Sequence, residues 1–193
     1  KFQINWNNEM SKIHQGVLGS LIFDSLRKKS DSVDISSLYD FNQSDGFLLF
    51  CTMVEYNHPG QVEICEDIIN FLSLKHLNHR LIIRLRPESD KEMWTSFKFS
   101  HPDRVILQTP SGVSFDKSSV RNNIDIKEEL EDISVYASTI NQSSLVISRA
   151  HSTTYTDALY LGTPSILSQY YPLNKKRSKG FQEMWDQVCT VYP

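Results

Sequence analysis

The stretch SLVISRAHSTTYTDALYLGTPSIL, residues 144–167, decides the fold. Ser144-Leu-Val-Ile-Ser148 is a short run with an apolar centre, the composition of a strand buried on both faces. Arg149 to Thr154 is polar. From Ser152 to about Leu161 the apolar residues take helical spacing, up to Gly162, which suits the left-handed turn that ends many helices. Pro164-Ser-Ile-Leu167 then reads as a second short strand. Strand, helix and strand in so short a span describe one unit of a parallel sheet, and the same alternation recurs upstream. Phe47 to Met53 reads as a strand. After a polar loop with His58-Pro-Gly60, the residues Val62, Ile64, Ile68, Ile69 and Leu72 predict a helix to about Lys75. Arg80 to Arg86 is the next strand, stopped by Pro87. A helix near Lys91 to Phe97, a strand at Arg104 to Leu107, a polar loop from Gln108 to Asn123 and an acidic helix from about Asp125 to Asn141 complete the series.

This pattern predicts an α/β fold: a single doubly wound parallel sheet of about five or six strands with helices on both faces. Residues 1–45 are less regular. Val17-Leu-Gly-Ser-Leu-Ile-Phe23 is apolar, and the Ser- and Asp-rich stretch from Ser30 to Asp45 reads as a mobile loop, so 1–45 is a lead-in and 46–193 the α/β domain. A basic final helix is expected beyond Tyr170 and Tyr171. The Lys1 start and the Tyr192-Pro193 end read as cuts through a longer protein.

Composition narrows the function classes. Among 193 residues, 39% are apolar and 22% charged, enough for one well-buried domain. Twenty Lys and Arg against 23 Asp and Glu leave a net charge of −3, with no global positive field to favour nucleic acid. The longest apolar runs, such as Phe47 to Cys51, fall far short of the ~20 residues of a membrane span. Cys51, Cys65 and Cys189 are an odd number at wide spacing, which indicates neither a disulfide framework nor a zinc site and suits a reducing compartment. The Asn42-Gln-Ser and Asn141-Gln-Ser triplets have no signal peptide with them and read as chance sequons. No Gly-x-Ser-x-Gly elbow, no GxGxxG after the first strand and no Walker A pattern occurs, and no carboxylate cluster resembles a metal cage.

In an open parallel sheet, ligands bind beyond the carboxyl ends of the strands, where the strand order reverses. For an order of 3-2-1-4-5 the reversal falls between strands one and four, and the facing loops are Thr52 to Gly60 and Arg149 to Thr154. The second loop places Arg149, His151, Ser152, Thr153 and Thr154 just before a helix, whose free amides and positive dipole end suit a phosphate. Two readings stand side by side for Thr154 and Asp157: a capping box that satisfies the helix's own start, or hydrogen bonds to a diphosphate and a ribose diol. His151 reads as a phosphate donor, a general base or a packed surface imidazole. Thr52, Glu55 and His58 face the same crevice from the first loop, each also readable as plain loop polarity.

Residues 144–167 resemble the donor-binding segment of GT-B glycosyltransferases: strand, hydroxyl loop, acidic residue, Ala-Leu, Leu-Gly-x-Pro, strand. Val17-Leu-Gly-Ser with Phe23-Asp24, and Leu81-Ile-Ile-Arg-Leu-Arg-Pro87, resemble two further stretches of the same C-terminal half. Related segments occur in surface-polysaccharide transferases, CDP-glycerol phosphotransferases and the UDP-N-acetylglucosamine 2-epimerase group. The resemblance implies a Rossmann-like domain that binds a nucleotide-sugar, as the donor half of a cytoplasmic glycosyltransferase acting on a cell-surface or lipid-linked glycan. In it, Ser152, Thr153 and Thr154 hold the diphosphate and Asp157 the ribose. Arg86 stands where a His usually precedes the Pro and offers a cation in place of a base, unless it and Arg84 are merely solvated or paired with the acidic helix. The nucleotide-sugar is substrate and no cofactor or metal is obligatory. The acceptor-activating base is expected in an N-terminal half absent from these residues, and the isolated domain is expected to be inactive. The alternatives are a CDP-glycerol-type phosphotransferase, a sugar-nucleotide epimerase, or a non-catalytic nucleotide- or sugar-binding module. The basic run Lys175-Lys-Arg-Ser-Lys179 suggests peripheral contact with an anionic lipid surface, or a solvated face.

Overall fold

A computed structural model describes residues 21–55, 58–110, 126–149 and 152–168. Within them the chain runs α1 (Leu21–Lys29), α2 (Ile35–Leu38), β1 (Phe47–Cys51), α3 (Gln61–Leu74), β2 (Arg80–Arg84), α4 (Lys91–Ser100), β3 (Val105–Gln108), α5 (Ile126–Gln142), β4 (Leu145–Arg149), α6 (Thr153–Leu161) and β5 (Ser165–Ser168). The strands form one five-stranded sheet in the order β3-β2-β1-β4-β5, with every neighbouring pair parallel. This is the expected α/β architecture with the expected reversal between β1 and β4.

Alternation along each strand sends side chains to opposite faces, and each face has its own helices. Phe50, Leu81, Ile83, Leu85, Val105 and Ile147 pack on one side against Ile64, Cys65 and Ile69 of α3 and Trp94 and Phe97 of α4. Phe47, Leu49, Cys51, Ile82 and Val146 pack on the other against Ile35, Ile140 of α5 and Ala158 of α6. At the rim before β1, Gly46 takes φ +68°, and a Cβ there would sit 3.2 Å from both His79 Nε2 and Ser144 Oγ.

Residues 30–45 depart from the expected mobile loop. They hold α2 and a 3-10 turn at Gln43–Asp45, and Ile35 is fully buried. Distant groups fix this segment: the Val33 amide donates to Ser138 Oγ at 3.2 Å, the Ile35 amide to Gln142 Oε1 at 3.1 Å, and Gln142 Nε2 to the Val33 carbonyl at 2.7 Å. A helical turn capped by Asp34 thereby covers the end of α5 and closes the core. Residues 1–20, residues 111–125, His151 and the basic run Lys175 to Lys179 lie outside the described residues. Among the described residues no helix is long and apolar enough to cross a membrane.

Candidate functional site

A pocket of about 340 Å³ opens at the carboxyl ends of β1 and β2 against the start of α6. Cys51, Thr52 and Met53 line it from β1, Arg84 to Pro87 from β2, Pro110 from beyond β3, and Ser152 to Thr154 from α6. It therefore sits where the order of strands reverses, the crevice that such sheets use for ligands.

Tight local bonding shapes its walls. The Thr52 amide extends the β1 ladder to the Arg84 carbonyl, and Met53 then leaves the sheet. The Gln61 side chain takes hold of Met53 twice, accepting from its amide at 2.7 Å and donating to its carbonyl at 2.8 Å. Gln61 is buried, so this clasp fixes the β1–α3 loop at its base. Glu55, expected to face the crevice, accepts from the Trp94 indole at 2.8 Å and ties the loop to α4 instead. On the β2 side the Arg86 amide lies 3.0 Å from Thr52 Oγ1 and 3.2 Å from Ser89 Oγ.

The two arginines at the end of β2 differ in availability. Arg84 is engaged: its guanidinium donates to both oxygens of Asp132 on α5 at 3.0 and 2.9 Å, to Gln108 Oε1 at 2.9 Å, and lies 4.8 Å from the centre of the Tyr136 ring. Pairing with the acidic helix is thus what Arg84 does. Arg86 has a side chain 44% exposed, 3.6 Å from a still more exposed Glu88, a contact that water weakens. Arg86 is the cation with freedom to turn to a ligand.

The α6 start brings the hydroxyls together in an arrangement of its own. Ser152 is the N-cap, accepting from the Thr154 amide at 3.3 Å, so the Thr154–Asp157 capping box does not form. The chain enters the helix two residues earlier than that box requires. Thr153, exposed at the first helical position, has one of the amides that a helix start leaves without an intrahelical partner. Thr154 and Asp157 lie on the inner face, where Tyr136 of α5 donates to Asp157 Oδ2 at 2.6 Å and its hydroxyl oxygen lies 3.2 Å from Thr154 Oγ1. Asp157 is 8% exposed and does not line the pocket, so its carboxylate is turned into the α5–α6 contact rather than towards the cavity. Burial raises the Asp157 pKa, and the Tyr136 hydrogen bond opposes that rise. The Tyr136 hydroxyl is itself pushed far above its ordinary value by burial, so it remains a proton donor at all working pH. Burial pushes the Cys51 thiol up to about 11, against the pull of Arg84 and a hydrogen bond from Thr154.

Of the remaining expected residues, Thr52 lines the pocket with its hydroxyl already bonded. Arg149 is buried at the end of β4 and does not line it. His151 lies outside the described residues. Ser89, Gln61, Gln108 and Tyr136 were not singled out by sequence. Only Tyr136 carried a signal, since a tyrosine on the packed face of a helix needs a partner for its hydroxyl. Among the described residues no group of three or more His, Cys, Asp or Glu is placed to hold a metal ion. No protein-family model matches the chain, and no curated protein matches it.

Proposed function

We propose that this chain is the donor-binding half of a GT-B-type glycosyltransferase, seating the diphosphate of a nucleotide-sugar between Arg86 and the first turn of α6. The carrying observation is the pocket at the β1/β4 reversal, where a half-exposed Arg86 and the hydroxyl-rich start of a helix line one cavity. Its volume falls in the range of small-ligand sites. Its lining has a polar side, Arg86 with Ser152 to Thr154, and an apolar side of Met53, Leu85, Pro87 and Pro110, as a phosphate joined to a flatter group requires.

The chemistry this supports is electrostatic. When the bond between the sugar's anomeric carbon and the diphosphate oxygen breaks, the electron pair stays on that oxygen. A guanidinium and a helix N-terminus beside it stabilise the charge. The lining offers no carboxylate or imidazole among the described residues, and the Cys51 thiol is held protonated. Activation of a glycan acceptor is therefore assigned to another part of the protein. The same observation favours one second reading, a nucleotide-binding module without catalysis, over an epimerase, which must move a proton at carbon.

Calorimetric titration of the chain with UDP, CDP, GDP, ADP and CMP tests the proposal. The expected result is saturable binding of one diphosphate, weakened about tenfold or more in Arg86→Gln, as loss of a charge-assisted contact implies. Binding by none, or binding unaffected in Arg86→Gln, refutes it. Turnover of the bound nucleotide-sugar in the presence of acceptor separates the transferase from the silent module.

A further inference from the structure

Two hydroxyls from different parts of the chain meet behind the pocket. Thr52 directly follows β1 and Ser89 lies in the turn between β2 and α4, yet their oxygens are 2.9 Å apart and both side chains are buried. Each lies within reach of one donor, the Arg86 amide, at 3.0 and 3.2 Å. Thr52 Oγ1 also lies 3.3 Å from the Arg84 carbonyl, and the Ser89 amide donates to the Arg86 carbonyl at 3.1 Å.

A hydroxyl has one proton to give and two lone pairs to accept with. One arrangement satisfies every group. Thr52 O–H donates to the Arg84 carbonyl, Ser89 O–H donates to Thr52 Oγ1, and the Arg86 N–H is shared by the two oxygens. Thr52 then has no proton left for a ligand, although it lines the pocket. We infer that Thr52 and Ser89 are positioning residues for Arg86: the hydroxyl pair, one from the end of β1 and one from the β2–α4 turn, accepts from the Arg86 amide and sets where its guanidinium starts from at the pocket rim. Pro87, with φ fixed by its ring, carries that constraint onward into the turn. A pair of hydroxyls that only filled space could be replaced by methyl groups without loss, but here the replacement takes the acceptors away from the Arg86 amide between them.

The inference rests on the donor-site reading for its ligand measurement only, so the test has two arms on the full chain. The first is amide hydrogen exchange without ligand, comparing Arg86 with Leu85, whose amide donates to the Gln108 carbonyl at 2.8 Å and serves as an internal reference. The second is calorimetric titration with inorganic pyrophosphate. Thr52→Val is expected to lower Arg86 protection relative to Leu85 by about two- to tenfold and to weaken pyrophosphate by a similar factor. Thr52→Ser restores both. Ser89→Ala moves both in the same direction by less, and it carries the test if Thr52→Val fails to fold. Unchanged Arg86 protection in the variants, or unchanged pyrophosphate affinity where the wild type binds, overturns the inference. A wild type that ignores pyrophosphate while Arg86 protection falls sinks the donor-site reading and leaves the positioning device standing.

Discussion

Removing a single oxygen, in Tyr136→Phe, probes the contact that binds α5 to α6 behind the pocket. The ring stays, and with it the stacking under Arg84, while the hydrogen bond to Asp157 at 2.6 Å and the hydroxyl contact with Thr154 at 3.2 Å are lost. A hydrogen bond to a charged group contributes about 1.5–3 kcal/mol. A loss of about 2 kcal/mol corresponds to a melting temperature lower by roughly 4–8 °C in a chain of this size. The pH dependence follows from Asp157. Burial raises its folded pKa above the ordinary carboxylate value, so the folded state holds the extra proton and gains stability as pH falls through that folded value. Without Tyr136 the folded pKa rises further. The variant's deficit is therefore fully expressed above the folded pKa and shrinks as pH falls towards the ordinary carboxylate value. Asp157→Asn keeps an acceptor for Tyr136 without the buried charge, and its deficit is expected to be smaller and flat with pH. Thermal melts of the three proteins between pH 8 and pH 4.5 decide the matter. A Tyr136→Phe deficit below about 0.5 kcal/mol, or one that does not narrow in acid, refutes this account of the contact.

Asp132→Asn removes the bidentate carboxylate from Arg84 and is expected to cost about 1–3 kcal/mol in denaturant unfolding, while pyrophosphate binds more tightly because a second cation on the pocket wall is released. Gly46→Ala forces a side chain into φ +68° with atoms of His79 and Ser144 at 3.2 Å, and calorimetric melting should show a loss of about 1–2 kcal/mol. Cys51, buried with its pKa near 11, should resist iodoacetamide at pH 8 in the folded protein and react at the rate of a free thiol in denaturant, as peptide mass spectrometry can follow.

The sheet was legible because its signal is local. Runs such as Leu81-Ile-Ile and Leu145-Val-Ile carry their burial in their own composition, and Gly162 at φ +81° ends α6 where its position after Leu161 predicts. Boundaries moved where a strand hands its bonding to side chains. β1 stops at Cys51 because Met53 is taken by Gln61, and β2 stops at Arg84 because the Arg86 amide goes to two hydroxyls. Residues 30–45 were opaque for the opposite reason: a polar stretch becomes ordered through Ser138 and Gln142, more than a hundred residues away. In the site, Ser152, Thr153 and Thr154 could be read as lining the crevice from their place beside a helix start. Asp157 could not be placed without the helix phase, which puts it with Thr154 and Ala158 on the buried face. The distinction between Arg84 and Arg86 lay in Asp132, a partner 48 residues away.

The most direct measurement is a heteronuclear NMR spectrum of the chain titrated with UDP and then with the other nucleoside diphosphates. The account predicts saturable shifts concentrated in Met53, Arg86, Thr153 and Thr154, with Glu66 of α3 and His101 just past α4 unmoved. Shifts that centre elsewhere, or none with any diphosphate, contradict the claim that this crevice is a donor site.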